Sequence, residues 1–483
     1  MENPAILLTL LAYLIGLLGI GFWASGRNAD EADYFLGGRN LGAWVASISS
    51  AASSSSAWTL LGVSGAAYTF GFGAIWILPA CLGGFALNWF LLARPLWALA
   101  ARTGGVTVID LLARKPDGGR SRGISRLASL IVLLSLGGYV ASQFQGAGKA
   151  LAGTFPGLEP SVGILCGVGV ILLYTLMGGF WAVSVTDLVQ GLVMAAASLL
   201  VPAAALVAVG GPARLMEGLE GIDAVLTDPL RGLAPSAAAG MVLGTLGIGL
   251  GYPGQPHVVN RFMALKDEAA LVRGRRIAMT WAVVTYSGML LAGWCGRVLF
   301  QEASVGDSEQ VLVQLSTRLF PPAMAGILVA AVLSAIMSTA DSQLLVCGST
   351  VAHDLPRESL SGRAGLRRGR LSVVILCLLA AVAALWVRET IFNLVLFAWS
   401  GLGAAFGPLL LVRCLRGPVR AGYALASMSL GFLVSVIWFF TPELKGLIYE
   451  LVPAFFLAFV PAWVGAGKGR GSPRVSPGNP DRS

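Results

Sequence analysis

The chain has 483 residues, of which 56% are hydrophobic and only 12% charged, with a mean hydropathy of +0.77. Soluble domains carry about 25% charged residues, so a soluble globular fold is excluded and an all-α polytopic membrane protein is expected. The net charge of +9 does not call for nucleic acid, because its distribution among loops accounts for it.

About thirteen runs are long and apolar enough to cross a hydrocarbon core of roughly 30 Å as helices. They cover residues 4–25, 42–71, 74–100, 125–152, 161–180, 184–209, 236–254, 275–301, 321–351, 371–388, 391–413, 419–441 and 446–467. The first has no basic n-region and no A-x-A site, and reads as a retained span and not a cleaved signal. The second contains SSAASSSSAW, Ser49 to Trp58, with six serines in ten residues. Lipid gains nothing from such hydroxyls. They suit broken backbone that lines a cavity, or oxygen ligation of a hard cation; tight helix packing is the alternative use of small residues.

The sixth span carries Asp187 near its start, and the ninth carries Asp341. An acid inside the membrane costs a few kcal/mol and marks a functional site by default. In the ninth span Ala335, Ser338, Thr339 and Ser342 share one helical face. That face is polar, so it should meet protein or a cation. The seventh span ends in LGTLGIGLGYPGQPHVVNRF, where Gly247, Gly249, Gly251 and Gly254 surround Pro253 and Pro256. Proline removes a helix hydrogen bond and glycine weakens the rest. A break near Tyr252 is expected, or else the end of the helix.

Sorting the 33 Lys and Arg by loop puts 26 in one alternating set and 7 in the other. Cationic loops stay cytoplasmic, which places the N-terminus outside and the C-terminus inside. Arg261 is counted among the loop cations, and His257 and His353 fall in or beside cytoplasmic loops. The tail 468–483 is rich in Gly, Pro and Ser and is expected to be disordered. The six cysteines stand singly, without a CxxC, and read as small core residues. No HExxH, GxSxG or Walker sequence occurs, so an enzyme is not expected. An aspartyl pair of Asp187 and Asp341 lacks similar sequence around its two acids.

The two irregular spans are the second and the seventh. Paired interruptions at corresponding positions of two halves point to an inverted-repeat transporter with a midplane site. Spans 2–6 (residues 42–210) and 7–11 (236–413) form the two repeats. Span 1 with its loop (1–41) and spans 12 and 13 (419–467) are peripheral, and residues 1–467 make one transporter domain.

The segments ADYFLGGRNLG, GGFWAVSVTDLVQ, GLGYPGQPHVVNRFMA, RRIAMTW, AAVLSAIMSTADSQLLV and AWSGLGAAFGP resemble the solute:sodium symporters, most closely the sodium/proline symporters. The resemblance runs in order from about residue 4 to 465. It implies a LeuT-like 5+5 inverted repeat, Na⁺ as coupling ion and no organic cofactor. It implies a Na⁺ site between spans 2 and 9, made by backbone oxygens of Ala52, Ser55 and Ala335 and hydroxyls of Ser338 and Thr339. Ser56, Tyr252 and Pro256 match positions near the solute, with Trp58, Ile248 and Gln255 beside them, and Pro408 falls in a segment linked to gating. Asp187, Asp341 and Ser342 would form a second cation or proton site.

Two departures bear on function. Ser54 stands where proline carriers have Asp, and Ile248 where they have Trp. Asp341, often Ser in the family, would partly replace the missing carboxylate. The expected activity is Na⁺-driven uptake of proline through a plasma or bacterial inner membrane. No obligatory protein partner is expected, only the small solute and the bilayer. The alternatives are Na⁺- or H⁺-coupled transport of another small amino acid or carboxylate, a channel, and a membrane solute sensor.

Overall fold

The computed structural model describes residues 4–25, 39–115, 119–177, 179–300, 306–356, 363–387 and 389–467. The C-terminal tail, most of the first inner loop and Arg388 lie outside the described residues, with the expectations attached to them. Every regular element among the described residues is helical.

In chain order, α1 (Pro4–Ser25) is followed by α2 (Ala43–Ser54), which stops in mid-span. A π-helical turn (Trp58–Gly62) and α3 (Val63–Phe70) resume it. Next come α4 (Ile77–Ala86), α5 (Ala93–Thr103), the short α6 (Val108–Ala113), α7 (Arg122–Thr154), α8 (Pro160–Met177) and α9 (Phe180–Val209). The second interrupted span is α10 (Pro235–Gly247), a 3₁₀ stretch (Ile248–Gly254) and α11 (Pro256–Met263). The chain continues through α12 (Glu268–Leu299), α13 (Val311–Leu319), α14 (Pro322–Ser349), α15 (Arg363–Trp386), α16 (Ile391–Arg416), α17 (Ala421–Phe440) and α18 (Leu451–Gly465).

Among the described residues, nine helical runs are long and apolar enough to cross a membrane, and α18 and part of α8 form shorter apolar helices. The broken spans account for the difference from a simple count of apolar runs. The seventh span also runs further than its hydropathy predicts. It does not end at 254 but re-enters as α11, so the Gly/Pro stretch is an internal break.

Two helices form the centre. In α16, 89% of the most apolar window is buried, and in the run Pro322–Asp354 it is 83%, against 22% for the first span. The helix α14 packs on α1, α2, α7, α9 and α15, while α16 packs on the 3₁₀ break, α7, α17 and α18. Both breaks therefore sit against the two best-shielded helices. This is where irregular backbone is tolerated, since lipid cannot satisfy its freed polar groups. Glycine allows the approach: a Cβ on Gly254 would lie 2.6 Å from Leu402 O, and one on Gly403 would lie 2.7 Å from Gly251 Cα.

Candidate functional site

The break in span 2 begins where Ser55 leaves helical geometry (φ −114°, ψ 79°). Its N–H reaches only to Ala52 O, at 3.1 Å. The next freed donors are met by side chains. Ala57 N–H donates to Gln143 Oε1 at 3.0 Å, and Trp58 N–H to Ser56 Oγ at 3.1 Å. Ser56 thus caps the second half-helix as serine caps an ordinary helix start.

The freed carbonyls at the C-terminal end of α2 face α14. Ser338 Oγ lies 3.4 Å from Ala52 O and 3.3 Å from Ala335 O, and Thr339 Oγ1 donates to Ser53 O at 3.2 Å. All five residues, and Ser55, are buried. Two oxygens each roughly 2.4 Å from a shared hard cation, at right angles, stand about 3.4 Å apart. The observed spacing therefore fits a small monovalent cation, and the negative end of α2's dipole favours one there. Ala52, Ala335, Ser338 and Thr339 lie together in the structure. Ser53 O, which sequence reasoning did not name, joins them.

On the other side of the same break is a narrow cavity of about 10 Å³, lined by Ser54, Trp58, Tyr139, Ile248, Tyr252, Val395, Leu396 and Trp399. Trp58, Ile248 and Tyr252 are thereby brought together. Ser56 instead bonds Tyr139 Oη at 3.2 Å. Gln255 ties the second break to α16, donating to Gly251 O and Trp399 O at 3.2 and 3.1 Å. Pro256 opens α11, and neither it nor Gln255 lines the cavity. An aromatic wall comes from α16: the Trp399 ring meets Tyr252 edge to face at 4.8 Å, and its Nε1–H donates to Ile248 O at 3.0 Å. Tyr252 Oη is held by Tyr286 Oη at 3.0 Å.

A third cluster adjoins the cation cage through Ser53, whose Oγ lies 3.0 Å from Ser342 Oγ. Asp187, Asp341 and Ser342 are buried there together with Ser49, Ser53 and an unexpected arginine. Arg261 is not a loop cation: it stands in α11 with 1% of its surface exposed, and His257 beside it is fully buried. The signal for both was missed because HVVNRF follows two prolines and reads as the polar exit of a helix. Its polar residues in fact face a polar interior. Arg261 Nη2 lies 3.0 Å from Asp187 Oδ2.

At the end of span 9, His353 Nε2 lies 2.9 Å from Asp110 Oδ2, and Arg120 Nη2 lies 3.0 Å from Asp354 Oδ1 and 3.3 Å from Asp110 Oδ1. Asp110, His353 and Asp354 offer ligand atoms within 4.8 Å of one another, but the arginine already supplies their positive charge. Burial pushes the Asp110 carboxyl up; His353 and Arg120 outweigh it and hold the group below its ordinary range.

Comparison with known proteins agrees with this arrangement. Residues 34–431 match the sodium:solute symporter family. An osmoregulated proline transporter of Bacillus subtilis is 36% identical over 463 residues, covering 94% of this chain and 93% of its own length. A sodium/proline symporter of Escherichia coli is 34% identical over 471 residues, with 95% and 92% covered. A solved Na⁺-coupled sialic acid symporter, in a substrate-bound outward-open state, superposes with a TM-score of 0.75 over 96% of this chain and 97% of its own, at 20% identity. The cation-spaced oxygens, the paired helix breaks and these similarities converge: this multi-pass membrane protein belongs to the sodium:solute symporter family.

Proposed function

We propose that the protein takes up proline by alternating access, driven by the Na⁺ gradient. The observation that carries this reading is the shared break in span 2. One face of Ala52–Trp58 contributes to the cation cage with Ser338 and Thr339, and the other contributes to the solute cavity. An ion that orders the first face positions the second, and by linkage the solute raises Na⁺ affinity by the same factor.

Na⁺ is a co-transported substrate held by Ala52, Ser55, Ala335, Ser338 and Thr339. Proline, as a zwitterion, would place its carboxylate at the half-helix start near Ser56 and Trp58, where N–H groups and the helix dipole favour an anion. Its ring would rest against Ile248, Tyr252 and Trp399, with Gln255 and Pro256 fixing the break behind them. The cavity now holds about one water's worth of space, so binding requires α16 and the break of span 7 to part. Asp187, Asp341 and Ser342 make a second, charged cluster, with Arg261 against Asp187. The N-terminus lies outside and the C-terminus inside, and the two repeats rock about the site. No organic cofactor, enzymatic step or obligatory protein partner enters this mechanism.

The test is radiolabelled proline uptake by purified protein in liposomes, comparing inward Na⁺, Li⁺, K⁺ and H⁺ gradients. Concentrative uptake with Na⁺ alone is expected. Uptake driven by H⁺, or none in protein shown to be folded, would overturn the ion or the solute assignment respectively.

A further inference from the structure

The start of α7 borders a basic cavity that the transport reading leaves unused. Its volume is about 270 Å³, and Arg120, Arg122, Ser125, Arg126, Asp354 and Leu355 stand in its walls. The three arginines are not equivalent. Arg120 is fixed and balanced: its Nε–H donates to Ser125 Oγ at 3.0 Å, and its Nη2 lies 3.0 Å from Asp354 Oδ1 and 3.3 Å from Asp110 Oδ1. Asp354 is buried, and its Oδ1 also accepts from Thr107 at 2.9 Å. Asp110 is engaged on its other oxygen by His353. Arg122 and Arg126 are exposed, and among the described residues no carboxylate pairs with either. The acids of this region are thus committed to Arg120 and His353, and two guanidinium charges are left beside the cavity.

Guanidinium forks match the oxygens of a phosphate bidentately. The surroundings say which kind of phosphate. Arg122, Arg126 and Leu130 stand four residues apart in one row of α7, and Leu134 follows. Leu130 and Leu134 are 54% and 57% exposed, so the row passes from charge to exposed hydrocarbon within a few turns. The 33 residues of α7 span about 50 Å. That exceeds a hydrocarbon core of roughly 30 Å, so the arginine-bearing end reaches the headgroup layer. Leu355, 37% exposed, gives the cavity an apolar edge. A free phosphate has no use for apolar surface beside its seat. A phospholipid does, with its phosphate on the arginines and its acyl chains along Leu130 and Leu134.

We propose that the cavity between the start of α7 and the end of span 9 seats the phosphate of an anionic phospholipid, held by Arg122 and Arg126. In the orientation proposed above, that lipid belongs to the inner leaflet, whose negative lipids are drawn to basic residues at the membrane surface. Because Arg120 and Asp354 line the same cavity, the lipid sits directly against the ion pairs that join α6 to the end of span 9.

Binding is read without Na⁺ or proline, so its outcome is independent of the transport reading. Native mass spectrometry of the purified full chain, mixed with phosphatidylglycerol or phosphatidylcholine of the same acyl chains, measures the lipid retained. The wild type is expected to retain phosphatidylglycerol in preference to phosphatidylcholine. At about fivefold per charge, Arg122→Gln with Arg126→Gln should weaken phosphatidylglycerol binding roughly 25-fold and leave phosphatidylcholine unchanged. Arg122→Lys with Arg126→Lys keeps both charges and should keep most of the binding. The control, Arg273→Gln with Arg276→Gln, removes two exposed cations from α12, which does not line the cavity, and should bind as the wild type does. All four positions are exposed, so the variants should melt with the wild type in the same detergent. An equal loss in the control, or no preference for phosphatidylglycerol in the wild type, would overturn the proposal. Displacement of the lipid by inorganic phosphate would mark a site for the free ion and overturn the lipid assignment.

Discussion

Trp399 forms the aromatic wall beside Ile248. The indole closes the cavity from α16, packs edge to face on Tyr252, and is oriented by its hydrogen bond to Ile248 O. An aromatic pair contributes about 0.5–1.5 kcal/mol beyond its area, and a hydrogen bond about 1 kcal/mol net. Trp399→Leu is therefore expected to weaken solute binding by roughly tenfold or more, at about 1.4 kcal/mol per tenfold, with Na⁺ affinity changed only through linkage. Uptake measured against solute concentration at saturating Na⁺ separates the two; an unchanged KM would remove Trp399 from the site. Position 399 sat in plain view in AWSGLGAAFGP, yet nothing in the sequence of α16 says which face meets span 7. The polar face of α14 was more legible, because Ser338, Thr339 and Ser342 fall at helical spacing with Ala335 in an apolar span. Arg261 was not, since a charge after a Gly/Pro stretch resembles a loop cation until tertiary packing encloses it.

The two broken spans were foreshadowed by composition, the serines in one and the Gly/Pro cluster in the other. What composition did not convey is that the second break is internal. Hydropathy falls after Pro256 because α11 carries His257, Asn260 and Arg261 toward a polar interior, and a hydropathy window cannot distinguish that from exit into water. The glycines of this break are there for contact. A Cβ at Gly254 would meet Leu402 O at 2.6 Å and Gly403 Cα at 2.7 Å, both backbone, which cannot rotate away. Gly254→Ala should destabilise the folded carrier by about 1–3 kcal/mol, the usual cost of overpacking. Gly169→Ala is the control. It lies within α8 where an added Cβ meets nothing within 4 Å, and helix propensity predicts no loss there. Thermal melting of both purified variants in one detergent checks this; equal melting would mean that α16 and the break separate more readily than their contact implies.

At the scale of the molecule, the cage and the arginine cluster lie between α2 and α14 and the cavity lies at the end of α2 against α16, so one rearrangement of the interrupted spans acts on all three. The pairing of spans 2 and 7 was readable from their positions, and loop charge is the basis on which an orientation of the termini is proposed. Neither reveals how many charges cross per cycle. Proline carries no net charge, so one Na⁺ through the cage would carry one charge per cycle. Each charge crossing the membrane gains about 2.3 kcal/mol per 100 mV, which at about 1.4 kcal/mol per tenfold is a roughly 40- to 50-fold change in accumulation. Imposing an inside-negative K⁺ diffusion potential of about 100 mV on proteoliposomes, at equal Na⁺ on both sides, should therefore drive roughly 40- to 50-fold proline accumulation before leak. Two charges per cycle would give a ceiling of roughly 2000-fold by the same relation, and an electroneutral cycle would give none. The steady-state gradient, read against the imposed voltage, separates these cases by slope even where leak lowers the plateau. A slope of one charge is expected if the cage is the sole Na⁺ path.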